Sequence, residues 1–343
     1  MSSNNDNEEI PIIDFSIECS KKIKYACEYI GFCYLKNHGI SNEFINEMFS
    51  IAKEFFIGIS REEKLKYIMN DEYFGFVDLK QEVLDPPHQK IGDYKECFNF
   101  GKFQNGKPIS QELPKYFEEK SKFIESFEKA CHDLCMKVLQ SLAISLKIED
   151  NEEGEGKNWF SKRHGYGMKS GDNFRILHYP PITIEEGKVS EDINYNQDIR
   201  AGSHTDYGSI TLLFQKEIGG LEIQHPYTKK WIQVPVVPNA ILINIGDLME
   251  FWTKGLFKST KHRVIFNKEN MNLHRYSIAY FCHAGRDVGL DPIPSEFIIG
   301  REREGEGLDE SKESKERKRI TAGEHLRLKQ ENTYKPIIIN CSN

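Results

Sequence analysis

The sequence predicts an α+β protein with a mainly β core of jelly-roll type, flanked by helices at the N-terminal side and one helix at the end. Three observations predict this. From Phe174 onward, short apolar runs follow one another with Gly, Pro and Asn between them: "FRILHY", "ITLLFQ", "LEIQ", "WIQVPVV", "AILINIG", "STKHRVIF" and "YSIAYFCHA". That rhythm belongs to a sandwich or barrel. Before them, apolar residues recur at the helical spacing of three and four. The length, 343 residues, is enough for one large core or two closely packed ones.

In chain order, "IPIIDF" reads as a short strand. A helix with Ile23, Ala26, Cys27 and Ile30 on one face follows, stopped by Gly31. "FCYLKN" is a strand, and Ser41 caps a second helix with Phe44, Met48, Ile51, Ala52 and Phe55 on one side. Ser60 with Glu63 three residues on is a capping box for a third. The stretch from Tyr73 to Pro108 is rich in Gly, Pro and aromatics and reads as irregular loops. A long amphipathic helix spans about Pro114 to Leu146, with Phe123, Phe127, Ala130, Leu134, Val138 and Leu142 buried. "EDNEEGEGKN" breaks it. Two insertions interrupt the strand-rich part: "EEGKVSEDINYNQDIR" reads as a polar loop just before the candidate metal residues, and "GREREGEGLDESKESKERKR" as a mixed-charge run expected to be solvated and mobile. "AGEHLRLKQENTY" is a closing helix.

Composition excludes several classes. Hydrophobic content of 38% and charged content of 29% are ordinary for a globular chain, and the net charge of -7 gives no support for binding a phosphate backbone. The polar, acidic start does not read as a signal peptide, and no apolar run reads as long enough to span a membrane. The eight cysteines lack a disulfide rhythm. Cys131 and Cys135, one helical turn apart, read as buried small apolar residues. A reduced, cytoplasmic setting is expected, as are a monomer, a small-molecule substrate and no nucleic-acid partner.

Chemistry concentrates in "SHTDYGSITLLF". Residues i and i+2 of a strand share a face, so His204 and Asp206 are expected to project together. His262, in "KSTKHRVIF", is the third candidate ligand on another strand. Two histidines and one carboxylate on a rigid β scaffold form the facial triad of non-haem Fe(II) oxygenases, which leaves coordination positions open. Arg275 and Ser277, again i and i+2, can grip a carboxylate through a guanidinium fork and a hydroxyl. A buried arginine needs such an anion. Asn244 and Asp247 read as shaping a turn. His178, His225, His274 and His283 have no partner at useful spacing. "RHGYGMKSGDNF", with His164, is placed in a loop facing the substrate.

The order H-x-D, H-R-V, R-x-S resembles the isopenicillin-N-synthase-like branch of the 2-oxoglutarate/Fe(II)-dependent oxygenases. "IPIIDF", "GFCYLKNHGI", "LHYPP", "VPNAILINIGDLMEFWTKGLFKSTKHRV" and "AGEHLRLKQENTY" are similar to that family's motifs. The resemblance implies a distorted double-stranded β-helix in which His204, Asp206 and His262 hold Fe(II). It also implies that Arg275 and Ser277 bind 2-oxoglutarate, with Tyr179 as a further contact. This chain has Leu177 where many plant members have asparagine. The implied organisation is an N-terminal helical and mixed region (1–160), the oxygenase core (161–300), and a charged insertion with the C-terminal helix (301–343). The implied reaction couples decarboxylation of 2-oxoglutarate with O₂ to hydroxylation, desaturation or ring closure of a small organic molecule, with ascorbate as a possible reductant. Leu221, Ile223 and Phe281 are candidates for the substrate wall, with plain core packing as the other reading. Three alternatives stay open at this level: a family oxidase that uses no 2-oxoglutarate, a non-catalytic sensor of metal or 2-oxo acid, and a zinc hydrolase with the same ligands.

Overall fold

The computed structural model describes residues 9–16, 19–89, 92–152, 154–182, 200–265, 271–301 and 320–340. Most of the two polar runs lies outside them. The elements in order are β1 (Ile12–Asp14), α1 (Ser20–Tyr29), β2 (Phe32–Lys36), α2 (Asn42–Gly58), α3 (Arg61–Leu65), β3 (Gly75–Val77) and β4 (Glu96–Phe100). Next come β5 (Phe103–Gln104), β6 (Lys107–Pro108), α4 (Lys115–Ser145), β7 (Asn173–Tyr179), β8 (Ala201–His204), β9 (Ile210–Gln215) and β10 (Leu221–Gln224). The chain continues through β11 (Trp231–Gln233), β12 (Ile241–Ile245), α5 (Asp247–Trp252), β13 (His262–Val264), β14 (Arg275–Cys282) and α6 (Ala322–Asn340).

Local chemistry sets the boundaries. Ser41 Oγ accepts the Phe44 N–H (3.2 Å) and Ser60 Oγ accepts the Glu63 N–H (3.2 Å), satisfying donors that a helix start leaves free. Gly31 has φ +73°, and a Cβ there would lie 2.1 Å from the Lys258 carbonyl oxygen. Only glycine can turn the chain so sharply from α1 into β2 against that backbone.

Two sheets face each other. The larger has eight strands in the order β1-β2-β12-β9-β14-β7-β4-β3, and the smaller has four, β11-β10-β13-β8. Every pairing in them is antiparallel except β1 with β2. This is a jelly-roll core. Helices α1, α2 and α4 cover the outer face of the large sheet over an aromatic-rich cluster that includes Phe55, Phe98, Phe117, Phe127 and Phe174. Phe55 meets Phe98 edge-on at 5.5 Å and Phe98 meets Phe117 at 4.9 Å, and such pairs add about 0.5–1.5 kcal/mol each beyond the area they bury. Cys131 and Cys135 are fully buried there. A second cluster, with Leu177, Tyr179, Leu221, Ile223 and Val264, fills the space between the sheets.

One expectation is corrected. Tyr73 to Pro108 is not all loop, for it supplies β3 and β4 to the large sheet, with β4 paired to β7 along its whole length. Residues Cys97 to Phe100 are buried without alternation, so this strand carries no period-two signal.

Candidate metal and co-substrate site

His204 ends β8 and faces His262 of β13 directly in the four-stranded sheet. Asp206 lies beyond β8, in the turn that crosses toward β9. The expected strand-face pairing of His204 with Asp206 is therefore replaced by a turn, which swings the carboxylate back. Ligand atoms of the three residues all lie within 4.8 Å of one another. Asp206 Oδ1 is 3.6 Å from His262 Nε2 and 3.9 Å from His204 Nε2.

Each candidate ligand is held by its other atom. His204 Nδ1 donates to the Gly202 carbonyl (2.7 Å) and His262 Nδ1 to that of Thr260 (3.1 Å), so both Nε2 atoms are bare acceptors. Asp206 Oδ2 accepts from Thr211 Oγ1 and Asn244 Nδ2, each at 2.7 Å, which leaves Oδ1 for the histidines. Burial drives His204 down to about 4, helped by the neighbouring His262, so its imidazole is neutral and ready to ligate. Burial would raise the Asp206 carboxyl, but His262, His204, Asn244 and Thr211 together hold it below the usual range. Asn244 thus does more than shape a turn. Asp247 does brace one: it accepts from Thr205 Oγ1 (3.1 Å) and Ser259 Oγ (2.6 Å), and its N–H donates to the Asp206 carbonyl (2.7 Å).

Asn244→Ala removes one of the two bonds that fix Asp206. The expected result is Fe(II) binding weaker by about 10–100-fold with the fold intact, read by metal titration alongside circular dichroism.

A cavity runs between the sheets from the triad to Arg275. Arg275 and Ser277 of β14 sit opposite Tyr179 and Leu177 of β7, and all four line it. Arg275 is 1% exposed. Its Nε donates to the Gly219 carbonyl (2.9 Å) and its guanidinium lies 4.6 Å from the Tyr179 ring centre. Nη1 is buried with no hydrogen-bond partner among the described residues. A second buried guanidinium, Arg200, is pushed down to about 10 by burial and by the charge of Arg275. Leu221 and Phe281 also line this cavity. Ile223 is fully buried in the core between the sheets, opposite His262 in β10–β13 pairing, and does not line it.

A second cavity adjoins the first and is lined by His204 and Asp206 but not by His262. It shares Leu84, Arg175, His204, Asp206 and Phe281 with the first. Gly171 and Asn173, from the stretch expected to face the substrate, line it, as do Leu326 and Gln330 of α6. His164 of the same stretch does not. It is buried, bonding the Phe160 carbonyl through Nδ1 (2.8 Å) and Ser209 Oγ through Nε2 (2.7 Å).

Sequence reasoning missed Glu82, Asp93, Lys95 and Arg175. Lys95 is buried between the carboxylates of Asp93 and Glu82, the latter at 2.8 Å. Asp93 Oδ1 also accepts the N–H of Gly202 (3.0 Å), whose carbonyl orients His204. Lys95 and Glu82 fall in the segment read as loop. Their one signal is composition: ionisable residues amid "FVDLKQEVLDPPH" and "DYKECFNF" that need partners once buried.

Burial also holds His164 and His283 at about 4. The native state then refuses protons that the unfolded chain accepts below about 6.5. Stability is full above that pH and is lost as pH falls toward 4, by up to about 3 kcal/mol per histidine. Urea unfolding of metal-free protein at pH 7.5 and 4.5 should show the loss, and His164→Gln should shrink it.

A jelly roll that gathers two histidines and a carboxylate beside a buried arginine with an unpartnered nitrogen has the make-up of a candidate metal site with an adjoining anion site. Comparison with known proteins gives the family. Residues 171–284 match the 2OG-Fe(II) oxygenase superfamily and residues 10–118 match the non-haem dioxygenase N-terminal family named for morphine synthesis. A UPF0676 protein of Schizosaccharomyces pombe is 34% identical over 93% of this chain and 90% of its own length. The 2-oxoglutarate-dependent dioxygenase citB of Monascus ruber is 30% identical over 91% of this chain and 88% of its own. A full-length Neurospora crassa protein, solved in complex with alpha-KG and 5-formyluracil, superposes with a TM-score of 0.74 at 28% identity, covering 96% of this chain and 98% of that one.

The chain belongs to the 2-oxoglutarate/Fe(II)-dependent oxygenase superfamily. It is a dioxygenase that couples decarboxylation of 2-oxoglutarate to oxidation of a small organic substrate, with Fe(II) and O₂. Among the described residues no helix is long and apolar enough to cross a membrane.

Proposed function

We propose that His204 Nε2, Asp206 Oδ1 and His262 Nε2 hold the Fe(II), and that Arg275 and Ser277 bind the distal carboxylate of 2-oxoglutarate with Tyr179 beside them. The observation that carries this reading is Nη1 of Arg275, buried without a partner among the described residues at the end of the cavity that begins at the triad. A buried cation in that position is stable only with an anion beside it. The donor set of two imidazoles and one carboxylate suits Fe(II) and leaves coordination positions open for the co-substrate and O₂. Bound there, iron and 2-oxoglutarate supply the oxidising power, with succinate and CO₂ as by-products.

The protein's part is placement. Arg275 and Ser277 orient the co-substrate along the β7–β14 face, and Leu177, Leu221 and Val264 line the route with apolar surface that excludes water. The substrate enters through the second cavity, beside Leu326 and Gln330 of α6, and reaches the site at His204 and Asp206. Residues 1–160, 161–300 and 301–343 form the N-terminal region, the catalytic core and the charged insertion with its closing helix. The enzyme acts as a cytoplasmic monomer, with ascorbate keeping the metal reduced.

Anaerobic addition of Fe(II) and 2-oxoglutarate should produce a visible charge-transfer band, and admission of O₂ should release succinate. Protein that binds iron but develops neither signal would sink this reading.

A further inference from the structure

We propose that the second cavity selects a small, flat, uncharged molecule with an adjacent hydrogen-bond donor and acceptor, an amide or lactam ring, held by Asn173 and laid against the wall formed by Phe281 and Arg175. This inference rests on the substrate entering from that side, as proposed above.

The wall is built by register. Asn173 and Arg175 are i and i+2 on β7 and share a face. Phe281 of β14 is the direct cross-strand neighbour of Asn173. The Arg175 guanidinium carbon lies 5.4 Å from the Phe281 ring centre, so the two make one continuous surface. Phe281 also faces Thr211, the residue that bonds Asp206. The wall thus lies in the same cavity as His204 and Asp206.

Charge decides the class. Arg175 is not an empty anion hook like Arg275. Its Nε donates to Asn99 Oδ1 (2.5 Å) and its Nη1 lies 3.7 Å from Glu82 Oε2. Glu82 is in turn taken up by Lys95. Burial opposes its ionisation, yet Lys95 and Arg175 hold its carboxyl well below the usual range. Both signs in the cavity are already answered, so a substrate with a strong charge gains little here and loses its hydration.

Asn173 supplies the polar recognition. Its Oδ1 is buried and has no hydrogen-bond partner among the described residues. An asparagine amide offers an acceptor and two donors in one plane, which is the complement of a cis amide. A site built to bond an N–H and a C=O rejects analogues that lack them, because its own polar atoms would stay unpaired.

The test is calorimetric titration of the anaerobic Fe(II)·2-oxoglutarate protein with two sets of probes. Uracil, 2-pyridone and nicotinamide represent neutral planar amides, and L-arginine and L-glutamate represent charged amino acids. At least one amide should bind below millimolar concentration, and Asn173→Ala should weaken it at least tenfold while the charge-transfer band with 2-oxoglutarate is unchanged. Asn173→Ser serves if the alanine variant does not fold. The inference is overturned if only the charged probes bind, if no probe binds while the band forms, or if the amide binds the Asn173 variants equally well. Absence of the band itself would instead bring down the co-substrate reading, and this inference with it.

Discussion

His204→Ala and Asp206→Ala are expected to abolish turnover and to cost more in Fe(II) binding than the roughly 10–100-fold that loss of a supporting group costs. The reason is the small number of ligands. Three residues meet within 4.8 Å, and removing one leaves a two-point site with no further member of the cluster among the described residues. Asp206→Ala also strands Asn244 Nδ2 and Thr211 Oγ1, both buried and both aimed at the missing carboxylate. That variant should therefore lose some stability as well, whereas His204→Ala, at the end of β8, should lose less. Metal content after dialysis and succinate release measure the first effect, and urea unfolding measures the second. Either variant retaining iron and turnover would remove that residue from the ligand set.

Arg275→Ala has a different signature: iron stays bound while the 2-oxoglutarate requirement rises. Truncating one partner of a buried charge pair costs about 2–5 kcal/mol, which at about 1.4 kcal/mol per decade is a rise of roughly thirtyfold to several thousandfold. Arg275→Lys should recover part of this, since it restores the charge without the planar fork. The measurement is the 2-oxoglutarate dependence of succinate release, with the iron content of each variant checked in parallel. An unchanged requirement in Arg275→Ala would end the role given to it.

Much of this site was legible because β strands advertise themselves by spacing. "ITLLFQ", "AILINIG" and "YSIAYFCHA" became β9, β12 and β14, and the R-x-S pair fell on one face as period two requires. The same rule misled for His204 and Asp206, because the strand ends at His204 and a turn, not a pleat, aims the aspartate. What turns do depends on distant partners. Asn244 and Thr211 sit on two further strands, and nothing local in "AILINIG" says that its asparagine faces a carboxylate. β4 was missed for a related reason: buried on both sides, it shows no alternation, and its neighbours in sequence are rich in breakers. The Lys95–Glu82–Asp93 cluster was invisible because burial of a charge is known only once its partners are placed.

The turn at Thr205–Asp206 has a mechanical consequence. His204 and His262 belong to the four-stranded sheet, while the groups that fix Asp206, Thr211 and Asn244, belong to the eight-stranded one. An ion bound by all three is a rivet through two plates. With the ligands proposed above, loss of the ion would be expected to loosen the edge where the two sheets meet at Asp206 before the helix-backed aromatic core, so metal binding would set the rigidity of the proposed substrate entrance.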